Sequence, residues 1–281
     1  MKKSILCLLL AAALTPALYA CEKQEQGEII PPEISAPLPS DPTVEPDTPT
    51  PPPAVDKEEN KPTEPEVVVK TDELIICKGT SVNLRSSPST SASVVGTAEK
   101  NTRYLLREKK GNWYAVYYKN KIAYLHADYA QTFSLEKSDD ERIEQVIEIG
   151  YKLVGTKYVY GATRLHNGKG KLLGGFSVAA FDCSSLMQYI FYHGASVNLD
   201  VNTRTQVVQG KYVSKSNLRR GDCIYFTNEY RVNNTGINRV GHVGIYLGND
   251  YMLHTASDYA RIVKMSDTRY WNYYIETRRF I

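Results

Sequence analysis

The sequence predicts two folded domains in tandem: a small all-β barrel, then an α+β domain whose helices pack on an antiparallel sheet. Short apolar runs separated by polar turns between residues 74 and 133 predict the barrel. Two helical patterns followed by several β runs between residues 138 and 281 predict the second domain. A proline-rich acidic stretch before both lacks the apolar residues needed for a core. We therefore expect the folded part to begin near residue 73.

Residues 1–20 have the pattern of an export signal, with a basic start, an apolar run and a small residue before the expected cleavage site. The apolar run is too short for a permanent membrane span, which needs roughly 20 residues. The segment Leu18-Tyr19-Ala20-Cys21 resembles a bacterial lipoprotein cleavage box, which implies a lipid on Cys21. The alternative is an ordinary signal peptide cut near Ala20. We expect a cell-envelope protein, held to a membrane through that lipid and facing the periplasm or the cell exterior.

Residues 21–72 predict a disordered, semi-stiff tether, because 12 of the 14 prolines lie there and favour extended chain. The whole chain carries +3, the signal +2 and residues 22–73 carry −10, which leaves +11 for residues 74–281. A basic folded part suits an anionic polymer or surface. An exported protein seldom meets nucleic acid, so we expect no nucleic-acid partner.

The remaining cysteines do not form a disulfide or metal pattern. Cys77 and Cys223 lie in strand-like apolar runs, which predicts buried thiols. No metal-ligand spacing occurs, so we expect no metal and no cofactor. We expect the protein to be a monomer.

The barrel is expected over residues 73–134. Its sequences Val-Asn-Leu-Arg-Ser-Ser-Pro-Ser at 82–89, Gly-Asn-Trp-Tyr-Ala-Val at 111–116 and Ile-Ala-Tyr-Leu-His at 122–126 resemble the bacterial SH3-like (SH3b) domain. The resemblance implies a domain that binds cell-wall peptides or shapes a neighbouring active site.

The second domain is expected over residues 138–281 and starts with a helix. A capping box from Ser138 to Glu141 opens it, and the apolar spacing carries it to about Val154. A second helix starts at Cys183 and ends near Gly194. At the first turn of a helix, unpaired N–H groups and the helix dipole favour a thiolate, so we expect a lowered pKa for Cys183.

His242 and His254 lie on two consecutive β runs joined near Gly248. In an antiparallel hairpin, the residue numbers of directly opposed residues always add up to the same value. The numbers of His242 and His254 add up to 496, an even value whose midpoint is Gly248. A connection of odd length therefore puts both imidazoles on one face, directly opposed or one diagonal apart. A two-residue turn would put them on opposite faces. We expect a three-residue turn, Gly248-Asn249-Asp250.

These residues support a thiol hydrolase. Cys183 would be the nucleophile, His242 its base and the later acid, and His254 the group that orients His242. Asp182 would raise the thiol pKa, so its charge is better explained as a contact for a cationic substrate group. A buried, unreactive cysteine and two core histidines are the alternative on these residues alone.

Five motifs resemble the NlpC/P60 family in order and spacing: Tyr158-Val159-Tyr160-Gly161, Phe181-Asp182-Cys183-Ser184-Ser185-Leu186, Arg219-Arg220-Gly221-Asp222, His242-Val243-Gly244-Ile245-Tyr246-Leu247-Gly248 and Leu253-His254-Thr255-Ala256. The resemblance implies a papain-like cysteine peptidase that cuts γ-D-glutamyl–diamino acid bonds in cell-wall stem peptides. It matches Cys183 to the nucleophile, His242 to the base and His254 to the orienting residue. It also matches Tyr158 to a site-lining tyrosine, and Asp182 and Ser184 to residues that hold a free peptide amine.

The chain departs from the family pattern at Ser185, Ala162 and two long loops, 164–180 and 228–239. We expect the first loop to border and restrict the cleft. The function expected is thus a lipid-anchored endopeptidase acting on peptidoglycan or muropeptides. The alternatives are a non-catalytic wall-binding lipoprotein and a family amidase or acyltransferase with another substrate.

Overall fold

The computed structural model describes residues 69–281. The predictions for the signal at 1–20, for Cys21 and for most of the tether lie outside the described residues. These described residues belong to one compact unit. None of the helices in the described part is long and apolar enough to cross a membrane.

The first domain is a seven-stranded antiparallel barrel, as the sequence predicts. Its strands are β1 (Thr71–Cys77), β2 (Ser81–Arg85), β3 (Val94–Glu99), β4 (Arg103–Lys110), β5 (Trp113–Tyr118), β6 (Lys121–His126) and β7 (Ala130–Glu136). They are ordered β3-β2-β6-β5-β4-β1-β7. The strands extend two residues beyond each end of the predicted range 73–134, because β1 and β7 pair along their full length from Thr71↔Glu136 to Cys77↔Ala130. Alternating side chains such as Leu74, Leu84 and Leu125 fill the interior.

The second domain packs two main helices on an eight-stranded sheet. Its helices are α1 (Glu141–Lys152), α2 (Cys183–Ala195) and α3 (Thr203–Gln206), and its strands are β8 (Lys157–Tyr158), β9 (Ala180–Phe181), β10 (Lys211–Val213), β11 (Cys223–Phe226), β12 (His242–Gly248), β13 (Tyr251–Ala256), β14 (Tyr259–Lys264) and β15 (Tyr274–Arg279). The strand order is β10-β15-β11-β12-β13-β14-β8-β9. All pairs are antiparallel except β8–β9. The apolar runs around Cys223, His242 and His254 correspond to β11, β12 and β13, whereas sequence patterns missed the short strands β8, β9 and β10 and the last strand, β15.

Helix α1 does not start at the predicted capping box. Its N-cap is Asp140, whose carboxylate accepts a hydrogen bond from the backbone N–H of Arg142 at 2.9 Å. Ser138 instead accepts from the backbone N–H of Asp140, in the turn before the helix. Asp140, two residues nearer the helix, caps it in place of the predicted Ser138. Its negative charge also interacts favourably with the positive end of the helix dipole.

Helices α1 and α2 cross closely because Gly194 lets their backbones meet. A Cβ at Gly194 would lie 2.5 Å from the Cα of Val146. Below them, Gly150 of α1 and Ile190 of α2 pack on Leu253 of β13. The buried thiols predicted for Cys77 and Cys223 are confirmed, since both are fully buried and free. The helices therefore sit directly on the hairpin that carries the two histidines.

The barrel and the second domain share a buried ion cluster centred on Arg220. Its guanidinium binds Glu144 of α1 and the carboxylate of Asp72 in β1, and donates to the carbonyl of Leu247 at 2.9 Å. Charges taken out of water need partners of this kind. Arg220 thus joins barrel, helix and hairpin at one point.

Candidate active site

Cys183 is the first residue of α2 and is buried. The preceding residue, Asp182, caps the helix: its carboxylate accepts from the backbone N–H of Ser185 at 2.8 Å. The hydroxyl of Ser185 accepts in return from the backbone N–H of Asp182 at 2.9 Å. This reciprocal capping box fixes the helix start. The predicted position of Cys183 at the helix N-terminus is confirmed.

The first turn of α2 offers a backbone donor beside the thiol. The N–H groups of Ser185 and Leu186 both bond to Asp182. The N–H of Cys183 has no acceptor among residues 69–281. A free N–H at a helix N-terminus is suited to an oxyanion that forms on a carbonyl attacked by the adjacent thiol.

The hairpin of β12 and β13 places His242 and His254 on one face of the sheet. Its paired residues are Ile245↔Leu253 and Tyr246↔Met252, each with a sum of 498. The histidines sum to 496, so they lie one diagonal apart on the same face. The same-face prediction is confirmed.

The turn that joins the strands is not the one we predicted. Gly248 pairs with Tyr251, so the turn has only two residues, Asn249 and Asp250, both in the left-handed region with φ of 48° and 69°. Alone, such a turn would put the histidines on opposite faces. A β-bulge between Tyr246 and Gly248 shifts the register by one residue and restores the shared face.

Gly244 leaves the space that the side chain of His254 occupies. It lies directly opposite His254 in the register, and a Cβ there would come 3.0 Å from the Cβ of His254 and 2.5 Å from the Sδ of Met252. A side chain at this position would push His254 away. The glycine is therefore part of what lets the two imidazoles approach.

The two imidazoles form a direct hydrogen bond that a tyrosine covers. Nε2 of His242 lies 3.0 Å from Nδ1 of His254. The hydroxyl of Tyr270 lies 3.3 Å from the same Nδ1, and its ring stacks on His242 with centroids 5.6 Å apart. Sequence reasoning missed Tyr270. Its only signal was the presence of four aromatic residues among the five at 270–274, which have no helical or strand period.

The hydrogen bond between the imidazoles determines which ring nitrogens stay available. His242 uses Nε2 for His254, which leaves Nδ1 outside the imidazole pair. A neutral His242 with a lone pair on Nδ1 carries its proton on Nε2 and donates it to Nδ1 of His254. His254 then carries a proton on its buried Nε2, which has no partner among the described residues. Both rings are thereby held in one tautomer.

Burial keeps all three groups neutral at rest. Burial, followed by the charge of Asp182, raises the pKa of Cys183 to about 12, against the opposing effect of backbone N–H groups at Val243 and Ser184. Burial lowers the pKa of His242 to about 4 and holds the pKa of His254 well below its ordinary value. The lowered thiol pKa that we expected from the helix start is therefore wrong for the resting site, because desolvation outweighs the helix N-terminus.

Tyr158 lies beside the thiol because β8 pairs in parallel with β9. The register Tyr158↔Phe181 puts it next to the residue two positions before Cys183. Burial raises the pKa of Tyr158 to about 12, so the hydroxyl stays protonated and can donate a hydrogen bond. The geometry puts Tyr158 in the cleft, and its contact with substrate stays a prediction.

The carboxylate of Asp182 is fully engaged within the protein. Besides capping α2, it accepts from the hydroxyl of Ser184 at 3.0 Å and from the backbone N–H of Gly161 at 3.2 Å. It also forms an ion pair with Arg164, 2.8 Å away. The same guanidinium lies 3.3 Å from the hydroxyl of Ser184. Substrate binding by Asp182 and Ser184 stays a prediction, and sequence reasoning did not identify Arg164 as their partner.

Two cavities flank Cys183. The histidine-side cavity, about 500 Å³, is lined by His242 and Tyr270. The arginine-side cavity, about 460 Å³, is lined by Arg164, Asp182, Ser184, Arg204 and Arg231. The start of the 228–239 loop borders both. The 164–180 loop reaches the arginine-side cavity through Arg164, and its effect on substrate range stays a prediction.

Comparison with known proteins agrees with this arrangement. The model of the NlpC/P60 family matches residues 155–279, and the model of the bacterial SH3 domain matches residues 80–131. The murein DD-endopeptidase MepS/murein LD-carboxypeptidase of Escherichia coli is 30% identical over 155 residues, covering 54% of this chain and 75% of that protein. The peptidoglycan DL-endopeptidase CwlO of Bacillus licheniformis is 31% identical over 140 residues, covering 49% of this chain and 28% of that protein.

Among solved structures, an NlpC/P60 family protein from Bacillus cereus is 21% identical with a TM-score of 0.40, covering 74% of this chain and 63% of that one. The family match and the extent of the E. coli relative that this chain covers are sufficient to assign the family. The chain belongs to the NlpC/P60 family, with a bacterial SH3 domain preceding its α+β domain.

Proposed function

We propose that the protein is a cysteine endopeptidase that hydrolyses the γ-D-glutamyl–L-diamino acid bond of peptidoglycan stem peptides. The observation that carries the proposal is the hydrogen-bonded pair His242–His254, 3.0 Å apart, with His242 lining the same cavity as a thiol at a helix N-terminus. Relatives are named as peptidoglycan endopeptidases, which supports a cell-wall substrate. Their names cover both DD and DL bonds, so our choice of the γ-D-glutamyl bond rests on the family motifs.

The reaction begins with attack by the thiol. The Sγ of Cys183 bonds to the carbonyl carbon of the scissile amide while its proton passes to Nδ1 of His242. The carbonyl oxygen becomes an oxyanion, and the N–H of Cys183 is placed to stabilise it. His242 then returns the proton to the amide nitrogen, the C–N bond breaks, and the diamino acid half leaves as a free amine.

The second half of the cycle releases the glutamyl product. Water attacks the thioester carbon while His242 takes one of its protons. The C–S bond breaks, and the proton returns to Sγ of Cys183. His254 keeps His242 in the required tautomer throughout, and Tyr270 limits how far the His242 ring can turn.

We further propose that the protein is exported and anchored in the cell envelope by a lipid on Cys21. The lipoprotein-like segment Leu18-Tyr19-Ala20-Cys21 supports the anchor, and the net +11 of residues 74–281 suits an anionic wall polymer. Replacing Cys21 by serine should move the protein from the membrane fraction to the soluble fraction. Unchanged fractionation would refute the anchor and leave the enzymatic proposal standing.

Product analysis tests the activity. The purified protein is incubated with L-Ala-γ-D-Glu-meso-diaminopimelate, with the L-Lys equivalent, and with a D-Ala–diaminopimelate cross-linked dimer. We expect the dipeptide L-Ala-D-Glu and a free diamino acid by mass spectrometry, and no product with Cys183→Ala. Cleavage of the cross-linked dimer alone would assign the DD bond instead. No cleavage of any of them by folded protein would contradict the proposal.

A further inference from the structure

The charges around Cys183 are distributed unevenly between the two cavities. Three guanidinium groups and one carboxylate line the arginine-side cavity, a net of +2. The histidine-side cavity has one acid, Glu229, and one arginine, Arg269. One half of any substrate bound across Cys183 therefore meets a positive wall.

The single carboxylate on the arginine side is already neutralised. Arg164 holds Asp182 at 2.8 Å, with only 18% and 7% of the two side chains exposed. The guanidinium is fixed further by the backbone carbonyls of Val201 and Ala162. A substrate ammonium could pair with Asp182 only by displacing an arginine that four groups hold. Arg164 thus already occupies the position beside Asp182 that a substrate cation would take.

The other two arginines have no carboxylate partner within ion-pair distance among the described residues. Both are half-buried rather than free in solvent. Arg204 lies in α3, and α3 is tied to the first turn of α2 because Gln206 donates to the carbonyl of Ser184 at 3.0 Å.

Arg231 lines the same cavity from the 228–239 loop. Its Nη1 donates to the carbonyl of Asn238 at 3.2 Å. Its side-chain stem lies against Gly241, where a Cβ would come 3.1 Å from its Cδ. Gly241 directly precedes His242, so Arg231 is placed beside the catalytic strand. The guanidinium groups of Arg204 and Arg231 thus line one cavity, and neither has a carboxylate partner among the described residues.

The proton transfers of the proposed reaction indicate which half of the substrate lies beside Arg204 and Arg231. The leaving amine takes its proton from His242, which lines the histidine-side cavity and does not line the other. The diamino acid half therefore occupies the histidine side, and the acyl half occupies the arginine side. In a γ-linked glutamyl residue the α-carboxylate is free and belongs to the acyl half.

We propose that Arg204 and Arg231 form an anion subsite for the α-carboxylate of the glutamyl residue, and that Arg164 makes a free substrate amine unnecessary. This inference rests on the proposed function. Arginine forks bind carboxylates through paired charge-assisted hydrogen bonds, and a carboxamide cannot replace that charge. The enzyme therefore discriminates between glutamyl and isoglutaminyl stem peptides, and accepts stem peptides whose N-terminus is acylated.

Matched substrates test the subsite. Four tripeptides are compared, with D-glutamyl or D-isoglutaminyl at position two and with a free or acetylated N-terminus. For the wild type we expect kcat/KM about ten- to a hundredfold higher for the carboxylate form, the range set by hydrogen bonds to a charged group. Acetylation should change kcat/KM by less than about threefold.

Variants assign the effect to residues. Arg204→Gln and Arg231→Gln should each lose about tenfold on the carboxylate substrate and little on the carboxamide, so that the preference shrinks. Arg239→Gln is the control, because Arg239 lies exposed in the same 228–239 loop and lines neither cavity. Equal wild-type rates on both forms, a proportional loss on both in the variants, or loss of cleavage on acetylation would overturn the proposal.

A binding measurement separates this proposal from the proposed function. The dipeptides L-Ala-γ-D-Glu and L-Ala-γ-D-isoglutamine are titrated calorimetrically into the full chain carrying Cys183→Ala. We expect tighter binding of the carboxylate form, weakened by Arg204→Gln. If the wild type cleaves none of the tripeptides, the proposed function fails and this titration alone decides the subsite. Equal affinities would then refute it.

Discussion

The histidine-side and arginine-side cavities share Cys183 but hold their polar groups in opposite ways. His242 and His254 are buried, neutral and bonded to each other, and Tyr270 stacks over them. Arg204 and Arg231 are half-exposed and charged. Burial thus keeps the histidine side neutral, as proton transfer by a base requires, whereas the guanidinium groups give the arginine side a fixed positive charge suited to recognition.

This difference predicts that changes on the histidine side alter turnover for every substrate, whereas changes on the arginine side alter which substrate is preferred. The following measurements test that division, from the largest expected effect to the smallest.

Removal of the nucleophile should have the largest effect. Cys183→Ala removes the atom that bonds to substrate, and we expect kcat to fall by at least about a thousandfold on every tripeptide. Cys77→Ala is the control, because this thiol is buried in the barrel and away from the cleft. Product release by Cys183→Ala at a rate close to the wild type would remove the basis of the mechanism.

Loss of the orienting histidine should have the next largest effect. His254→Ala removes the acceptor 3.0 Å from Nε2 of His242, so the base is free to adopt the wrong tautomer. We expect kcat to fall at least about a hundredfold, because loss of the orienting residue of a Ser-His-Asp triad costs up to about 10⁴ in kcat. His254→Asn keeps a hydrogen-bond acceptor and should recover part of the rate. Equal rates for the two variants would show that His254 only fills space.

The pH profile tests the burial of the histidines. Because burial lowers the pKa of His242 to about 4, the base stays neutral and kcat/KM should be close to its plateau at pH 5.5. An ordinary histidine, with a pKa near 6.5, would have lost about nine-tenths of the activity there. Below pH 4, protonation of His242 should abolish the reaction. An acid limb centred near 6.5 would contradict the buried, neutral pair.

The lowered pKa of His242 also predicts how the free energy of unfolding depends on pH. The unfolded chain binds a proton at His242 near pH 6.5, whereas the folded protein binds it only near 4. Between these values the unfolded state holds more protons, so the free energy of unfolding falls as pH decreases. Denaturant unfolding at pH 7 and pH 5 measures this, and His242→Gln should show a smaller difference. An identical pH dependence in the variant would assign the effect to other groups.

Filling the space opposite His254 should have a smaller effect. In Gly244→Ala the new Cβ would lie 3.0 Å from the Cβ of His254 and 2.5 Å from the Sδ of Met252. We expect kcat to fall about tenfold and the free energy of unfolding to fall by about 1–3 kcal/mol, as for other overpacked cores. Gly174→Ala is the control, because a Cβ at Gly174 meets nothing within 4 Å. Normal turnover in Gly244→Ala would show that the hairpin tolerates the side chain without moving His254.

Removal of one hydroxyl should have the smallest effect. Tyr270→Phe keeps the ring stacked on His242 and removes only the contact at 3.3 Å to Nδ1 of His254. We expect kcat to fall only about threefold, since the imidazole pair keeps its own hydrogen bond. Tyr270→Ala should lose more, because the ring is removed as well. If the two variants lose equally, the hydroxyl and not the ring is the important part.

The positions of Cys183, His242 and His254 on a helix start and two paired strands could be predicted from local patterns. The start of α2 at Cys183 follows from Asp182 as an N-cap before an apolar helical run. We predicted the shared face of His242 and His254 from the parity of a three-residue turn. The turn has two residues, and the shared face instead depends on the bulge before Gly248, which no local sequence pattern revealed.

The rest of the site depends on contacts between distant segments, which no local pattern contains. Tyr270 reaches the histidines from a short helical turn near the C-terminus. Arg164 reaches Asp182 from a loop that has no regular period. The direction of the thiol pKa was wrong for the same reason: it depends on how deeply Cys183 is buried, and burial is set by the whole fold.

In the proposed reaction, Cys183 carries the acyl half of the substrate as a thioester. Rapid acid quench of the full chain with L-Ala-γ-D-Glu-diaminopimelate, followed by digestion and mass spectrometry, measures this directly. We predict an L-Ala-γ-D-glutamyl adduct on the peptide that contains Cys183, removed by hydroxylamine and increased when His254→Ala slows hydrolysis of the thioester. Turnover with no adduct on Cys183, and with activity retained in Cys183→Ala, would contradict the account.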